Sequence, residues 1–355
     1  MATGLPSQLA AADFRRRLAI TLAALFLFRL GFAVNVPIQG LALERSMPVF
    51  AINLAPFLTV LFFLELIKLA FPGVKRWEAA PGNGARLQGY ILLAALLVAG
   101  FQASAVVRLL EKMAQGHPPV MPDPTYTYAA IITFVAGTAL VGWLMSQITL
   151  HGLGNGFWIL SAAQGVDGLP AILVRCFEQI RTHAIPPQTF AIGGGFIIVS
   201  IAILAAASFP WQKDGDKTAQ ENGFGTSDAL AAAVWPPVLA LYASQMLLTL
   251  DLYLNEKPFF QMDRYTLVAE TAVLILPFAA AYRARRSVEP DPNYEVKPVW
   301  LLALAQIAVL IGAQLVMLEV SLPFYINASA IIVFVAVATH LLRTHQTGTT
   351  SRQKS

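Results

Sequence analysis

Three glycines at alternate positions, Gly152, Gly154 and Gly156, open the stretch HGLGNGFWILSAAQGVDGLPAIL, from His151 to Leu173. Glycines ahead of a helix can cradle a phosphate, because bare backbone N–H groups approach an anion closely there. That chemistry also needs a strand before the loop, and in a P-loop a Lys-Ser or Lys-Thr pair after it. Here an apolar run ending SQITL precedes the glycines, another apolar run follows them, and no such pair is present. The run therefore reads as a tight turn between helices, where glycine permits positive φ and close packing. Other residues able to do chemistry are sparse. The five histidines, at 117, 151, 183, 340 and 345, have no metal-ligand spacing, and Cys176 is the single cysteine. Neither a metal site nor an intrachain disulfide is expected. With no paired carboxylates and no nucleophile–base constellation, an enzyme is not expected, nor a cofactor.

The elements that hold these residues follow from composition. Of 355 residues, 57% are hydrophobic and only 12% charged, against roughly 25% charged in a soluble domain. The mean hydropathy is +0.62. Apolar segments lie at about 17–36, 52–71, 88–110, 126–147, 155–174, 189–209, 229–250, 264–282, 299–318 and 322–342. Each is close to the ~20 residues a helix needs to cross the hydrocarbon core. An all-α polytopic membrane protein with ten transmembrane helices is expected, since helices satisfy their own backbone groups in lipid. The fifth segment is the weakest, interrupted by Gln164, Asp167 and Gly168. The first follows Arg15, Arg16 and Arg17 and meets no small-residue cleavage site, so it reads as a retained helix.

The short connections carry the charge, so the net charge of +4 is a matter of loops and not a nucleic-acid signal. With the N-terminus cytosolic, fifteen Lys and Arg fall in inside loops and six in outside loops. That bias places both termini in the cytosol. Arg29, Lys68 and Arg264 fall in or at the edge of spans.

The same glycine stretch, GLGNG followed by an apolar run and GLP, resembles the loop and fifth helix of the SecY family, the bacterial preprotein translocase channels. FRRRLAITLAALFLFRLGFAVNVPIQG, from Phe14 to Gly40, resembles that family's first helix, and LAPFLTVLFFLELIKLAFPG its second. WPPVLALYASQ resembles the seventh helix and LPFYINASAIIVFVAVA the tenth. The matches run in order from Phe14 to about Leu342. The resemblance implies two inverted, pseudo-symmetric five-helix halves, 1–187 and 188–355, a known membrane design. It also implies a bacterial inner-membrane location.

In such a channel an hourglass pore is pinched by apolar side chains. Motif by motif, Leu58, Phe62, Phe157, Ser161, Val238 and Val333 fall at that ring. An apolar constriction resists water and ions by dewetting. Leu58/Phe62 and Phe157/Ser161 are spaced i, i+4, so each pair shares a helix face. The plainer alternative is that all six are ordinary lipid-facing or packing residues. Ser161 departs from the ring's aliphatic character and weakens the seal. The family also opens sideways, between its second and third helices on one side and its seventh and eighth on the other. Glu65 lies at such a seam, with Gln102 and Gln245 as candidate neighbours. The alternative is that Glu65 pairs with Lys68 at i, i+3 and snorkels to the cytosolic face. Arg29 and Glu270 are isolated and read as packing residues. Pro236-Pro237 kinks the seventh helix, and Gly193-Gly194-Gly195 allows close packing of the sixth.

The resemblance implies a protein-conducting channel or insertase with polypeptide substrates, seated in the lipid bilayer and clamped by a small SecE-like subunit. A secondary transporter of a small solute is the first alternative, although few midplane ionisable groups are present. A non-conducting, channel-derived assembly factor is the second. Between Gly40 and Pro56 only about fifteen residues remain, so a full plug helix does not fit, and at most a vestige is expected around Leu41 to Met47. The cytosolic loops that dock SecA and ribosomes in the family are also short here. The basic cluster Arg283, Arg285 and Arg286 follows a span directly, as a positive-inside anchor does. SecA or ribosome docking in the usual way is therefore not expected, and a specialised, shortened paralogue is.

Overall fold

The computed structural model describes residues 5–36, 47–80, 82–114, 124–166, 168–208, 230, 233–244, 271, 273–281, 297–320, 322, 324 and 326–353. Gln245, Glu270, Arg283, Arg285, Arg286 and residues 41–46 of the expected plug vestige lie outside them. Helix α1 runs Leu5–Ala33, and strands β1 (Asn35–Val36) and β2 (Met47–Pro48) pair antiparallel. There follow α2 (Ala55–Ala70), α3 (Pro72–Ala79), α4 (Asn83–Ala114), α5 (Pro124–His151), α6 (Gly156–Val166), α7 (Leu169–Arg181) and α8 (Pro187–Ser208). The remaining helices are α9 (Ala233–Ser244), α10 (273–281), α11 (Lys297–Glu319) and α12 (Ala328–Gln353).

Five stretches are long and apolar enough to cross a bilayer: Asn83–Arg108, Thr127–His151, α6 with α7, α8, and Trp300–Glu319. Ala233–Ser244 and Ala328–Leu342 are shorter apolar helices, and α2 has 16 residues. Pro72 and Pro170 sit in the first turns of α3 and α7, where the missing N–H has no helical acceptor anyway.

The helices are built inside out relative to those of a soluble protein. On α4, Ala95, Ala99 and Ala103 are 0% exposed, while Leu97 and Phe101 are 70% and 77% exposed. Lipid is as apolar as leucine, so association depends on small residues that let backbones approach. The alanine face packs against α2 and α5. Hydroxyls in the spans bond back to their own helix, as Thr59 to the Ala55 carbonyl at 2.9 Å and Thr149 to that of Met145 at 2.8 Å. These hydroxyls then do not face hydrocarbon unpaired.

The described residues up to Leu160 form one compact unit and those from Ser161 onward a second. In the first, α4 packs on α5 and α2, and α1 on α5. The connection after β2 is tucked inward, with Phe50, Ile52, Asn53 and Leu54 all buried. The Phe50 ring occupies a slot that Gly31 and Gly137 leave open, since a Cβ on Gly31 would meet it. Phe28 and Phe32 lie against that ring at centroid distances of 5.9 and 6.0 Å. In the second unit α8 packs on α11 and α12. Of the three consecutive glycines, only Gly193 is a packing glycine, facing Leu322 and Phe324, whereas Gly194 and Gly195 have no neighbour near a Cβ position.

Candidate functional site

The ring candidates divide between the units. Phe62 on α2 and Phe157 at the start of α6 are each 2% exposed, and Leu58 is half-buried. In the second unit Val238 on α9 and Val333 on α12 are 7% and 6% exposed, and Ser161 is half-buried. None of the six is a lipid-facing residue in the manner of Leu97 or Phe101. The Phe157 ring meets Trp158 edge-on at 4.8 Å.

The turn that aims Phe157 is fixed atom by atom. The Gly152 N–H donates to the Ile148 carbonyl, continuing α5 by one residue. The Leu153 N–H donates to Thr21 Oγ1 on α1 at 2.9 Å, and the Gly156 N–H to Thr149 Oγ1 at 2.9 Å. Asn155 caps α6, its Oδ1 accepting from Phe157 N at 3.1 Å and Trp158 N at 3.4 Å. Gly154 has φ +77°, which glycine adopts freely. A Cβ on Gly152 would reach Thr21 Oγ1 at 2.6 Å, and one on Gly156 would collide with the Met145 carbonyl oxygen. The amides of Gly152, Leu153, Gly156, Phe157 and Trp158 are thus engaged within the protein, as in a turn between helices.

Polar links lie along the helix pairs of the expected lateral gate. Gln102 Nε2 on α4 donates to Thr59 Oγ1 on α2 at 3.4 Å, and Gln102 Oε1 is buried with no partner. In the second unit Ser244, at the end of α9, lies 3.1 Å from the Thr271 hydroxyl, two residues before α10. Thr59, Ser244 and Thr271 were not singled out from the sequence. The available signal was a hydroxyl in an otherwise apolar run, which is too common to stand out.

Glu65 sits in an ion cluster. Lys68 Nζ lies 3.1 Å from Glu65 Oε1, one turn back on α2, and 2.7 Å from Glu78 Oε2 on α3. Lys68 and Glu65 side chains are 8% and 10% exposed, and that of Glu78 18%. The i, i+3 pairing is therefore present, joined by a third member from across the Phe71-Pro72 break. The cluster fastens α3 beneath α2 and has no catalytic arrangement. Among the described residues no group of three His, Cys, Asp or Glu side chains is placed to hold a metal ion.

A family model described as SecY matches residues 48–351. The protein translocase subunit SecY of Rickettsia typhi (strain ATCC VR-144 / Wilmington) is 27% identical over 224 residues, covering 54% of this chain and 50% of that protein. The protein translocase subunit SecY of Escherichia coli (strain K12) is 26% identical over 195 residues, covering 48% and 44%. The chain spans about half the length of the curated relatives it matches. Among solved structures, a chain described as "The structure of a protein conducting channel" aligns with a TM-score of 0.57 at 12% identity, over 93% of this chain and 92% of that one. "Sec61 in the Canine ribosome-channel complex from the endoplasmic reticulum" aligns at 0.58 and 12% identity, with the same coverage. At that identity the likeness is one of fold: an α-helical polytopic membrane fold.

Proposed function

The chain belongs to the SecY family, and from that premise we propose that it is a protein-conducting channel or insertase of the bacterial inner membrane. Its ten transmembrane helices form two inverted halves, 1–187 and 188–355, with both termini in the cytosol. Polypeptides cross or enter the bilayer through a pore pinched by Leu58, Phe62, Phe157, Ser161, Val238 and Val333. The observation that carries this reading is the inward turn of the ring candidates. Phe62, Phe157, Val238 and Val333 are buried on α2, α6, α9 and α12, in a protein that leaves large side chains such as Phe101 of α4 exposed. An apolar constriction excludes ions yet offers a passing peptide no strong binding site.

The lateral gate opens between the α2–α4 pair and the α9–α10 pair, with Glu65, Gln102 and Gln245 along its seam. The links Gln102–Thr59 and Ser244–Thr271 make each pair move as one piece. A small SecE-like subunit clamps the halves. A specific docking interface buries roughly 800 Å² per partner, more than the short cytosolic loops offer. SecA and ribosomes therefore do not dock in the usual way, and Arg283, Arg285 and Arg286 anchor the topology. In planar bilayers the native chain is expected to be silent at rest, with Phe62→Gly raising ion conductance. A well-folded Phe62→Gly variant that stays sealed overturns the reading.

A further inference from the structure

A proline pair early in a transmembrane helix raises an accounting question about the backbone. In an α-helix the carbonyl of one residue accepts from the N–H four residues on. Four residues on from Ala233 stands Pro237, which has no N–H to give. Ala233 is 0% exposed, so bulk water cannot serve its carbonyl. A buried carbonyl without a donor is costly, and in a membrane protein nearly every such group finds a partner.

The partner comes from another helix. Gln306 Nε2 on α11 donates to the Ala233 carbonyl at 2.7 Å, across 73 residues of sequence. Gln306 is 2% exposed and sits among the buried Leu302, Ala303, Ala305 and Val309 of its own helix. An amide buried on such a face is itself a liability unless bonded. The orphan carbonyl and the buried amide therefore resolve one another. The fit is specific, since the side chain supplies the one donor that the proline removes.

We propose that Gln306 is a positioning residue that stands in for the missing amide of Pro237 and ties α9 to α11. Val238 directly follows Pro237, so the tie fixes where the ring residue of α9 sits. That functional consequence, though not the tie itself, rests on the channel reading. A gap of about 10 Å³ beside the bond is lined by Ser208, Ala233, Leu302 and Gln306 among others. It is at the lower limit for one water. Truncating Gln306 to Ala would enlarge it and admit a water as a substitute donor, so Gln306→Met, of similar length and without a donor, is the sharper variant.

A double-mutant cycle tests the tie on the full chain. Pro237→Ala restores an N–H at position 237 and makes the glutamine redundant. Gln306→Met is expected to lower the thermal midpoint in detergent by about 2–5 °C in the native background. In the Pro237→Ala background it is expected to change it by less than about 1 °C, because the backbone donor is back. An equal drop in both backgrounds, or none in the native one, overturns the proposal. Should Pro237→Ala fail to fold, Gln306→Glu at pH 5 is compared with Gln306→Met, because a neutral buried carboxylic acid still donates. Retained stability with Glu and lost stability with Met supports the tie, and equal loss contradicts it. Resting conductance is read on the same proteins. A raised conductance in Gln306→Met that returns to the native level in Pro237→Ala/Gln306→Met supports positioning of Val238. If the stability cycle shows coupling while no variant conducts, Phe62→Gly included, the channel reading falls and the tie stands. If Phe62→Gly conducts while Gln306→Met changes neither stability nor conductance, the tie falls and the channel stands.

Discussion

The α5–α6 turn and the α2–α3 joint are both sharp breaks between helices, and they are held by opposite means. The first depends on the absence of side chains: Gly152 and Gly156 lie against backbone and hydroxyl atoms with no room for a Cβ. The second depends on their presence: Lys68 bridges Glu65 and Glu78. A joint made of backbone contact is defined to a fraction of an ångström and tolerates no addition. A joint made of buried charge tolerates changes of size but not of charge balance. The precise joint is the one that aims Phe157 at the proposed ring.

The largest expected effect breaks the first joint. Gly156→Ala sets a methyl group against the Met145 carbonyl, which belongs to a helix and cannot yield. A cost of about 3 kcal/mol or more is expected, read as loss of monodisperse protein on size-exclusion chromatography. Recovery of a normally folded Gly156→Ala chain would show that the turn is softer than its contacts imply. The second joint breaks by charge. Lys68→Met removes the cation that bridges Glu65 and Glu78, at a cost of about 3 kcal/mol. Glu65→Gln leaves the Lys68–Glu78 pair in place and is expected to cost about 1 kcal/mol. Thermal unfolding in detergent orders the two, and the reverse order would mean that Lys68 does not hold the joint. The smallest effect sharpens the contrast between glycines. Gly194→Ala meets nothing within 4 Å, so helix propensity alone acts and stabilises by about 0.5–1 kcal/mol. Destabilisation there would reveal a contact to a partner helix.

These two joints also show what was legible in sequence. The apolar runs fixed the helices because lipid leaves the backbone few choices. The weakness of the fifth span at Gln164, Asp167 and Gly168 corresponds to the separate helices α6 and α7, with Gly168 and Pro170 at the restart. The glycine run could be recognised as a turn because its neighbours are membrane spans. The Glu65–Lys68 pair was visible as an i, i+3 spacing, but Glu78 was not, since it returns to Lys68 only after the break at Phe71-Pro72. The Gln306–Ala233 bond was half legible: Pro237 announces an orphan carbonyl, yet nothing in sequence says which helix answers it. The tucked segment around Phe50 was hidden for a related reason. Its slot is made by Gly31 and Gly137, two residues far apart in sequence whose significance lies in what they lack.

The account rests most heavily on polypeptide passing between the buried ring residues. A photo-crosslinking amino acid placed at position 62, at 238, and at the exposed Ile198 of α8 (69% exposed) tests this in proteoliposomes carrying a stalled, labelled secretory or membrane substrate. The account predicts adducts from positions 62 and 238 and none from 198. Equal labelling from all three, or none from 62 and 238 while substrate still inserts, would contradict a central pore.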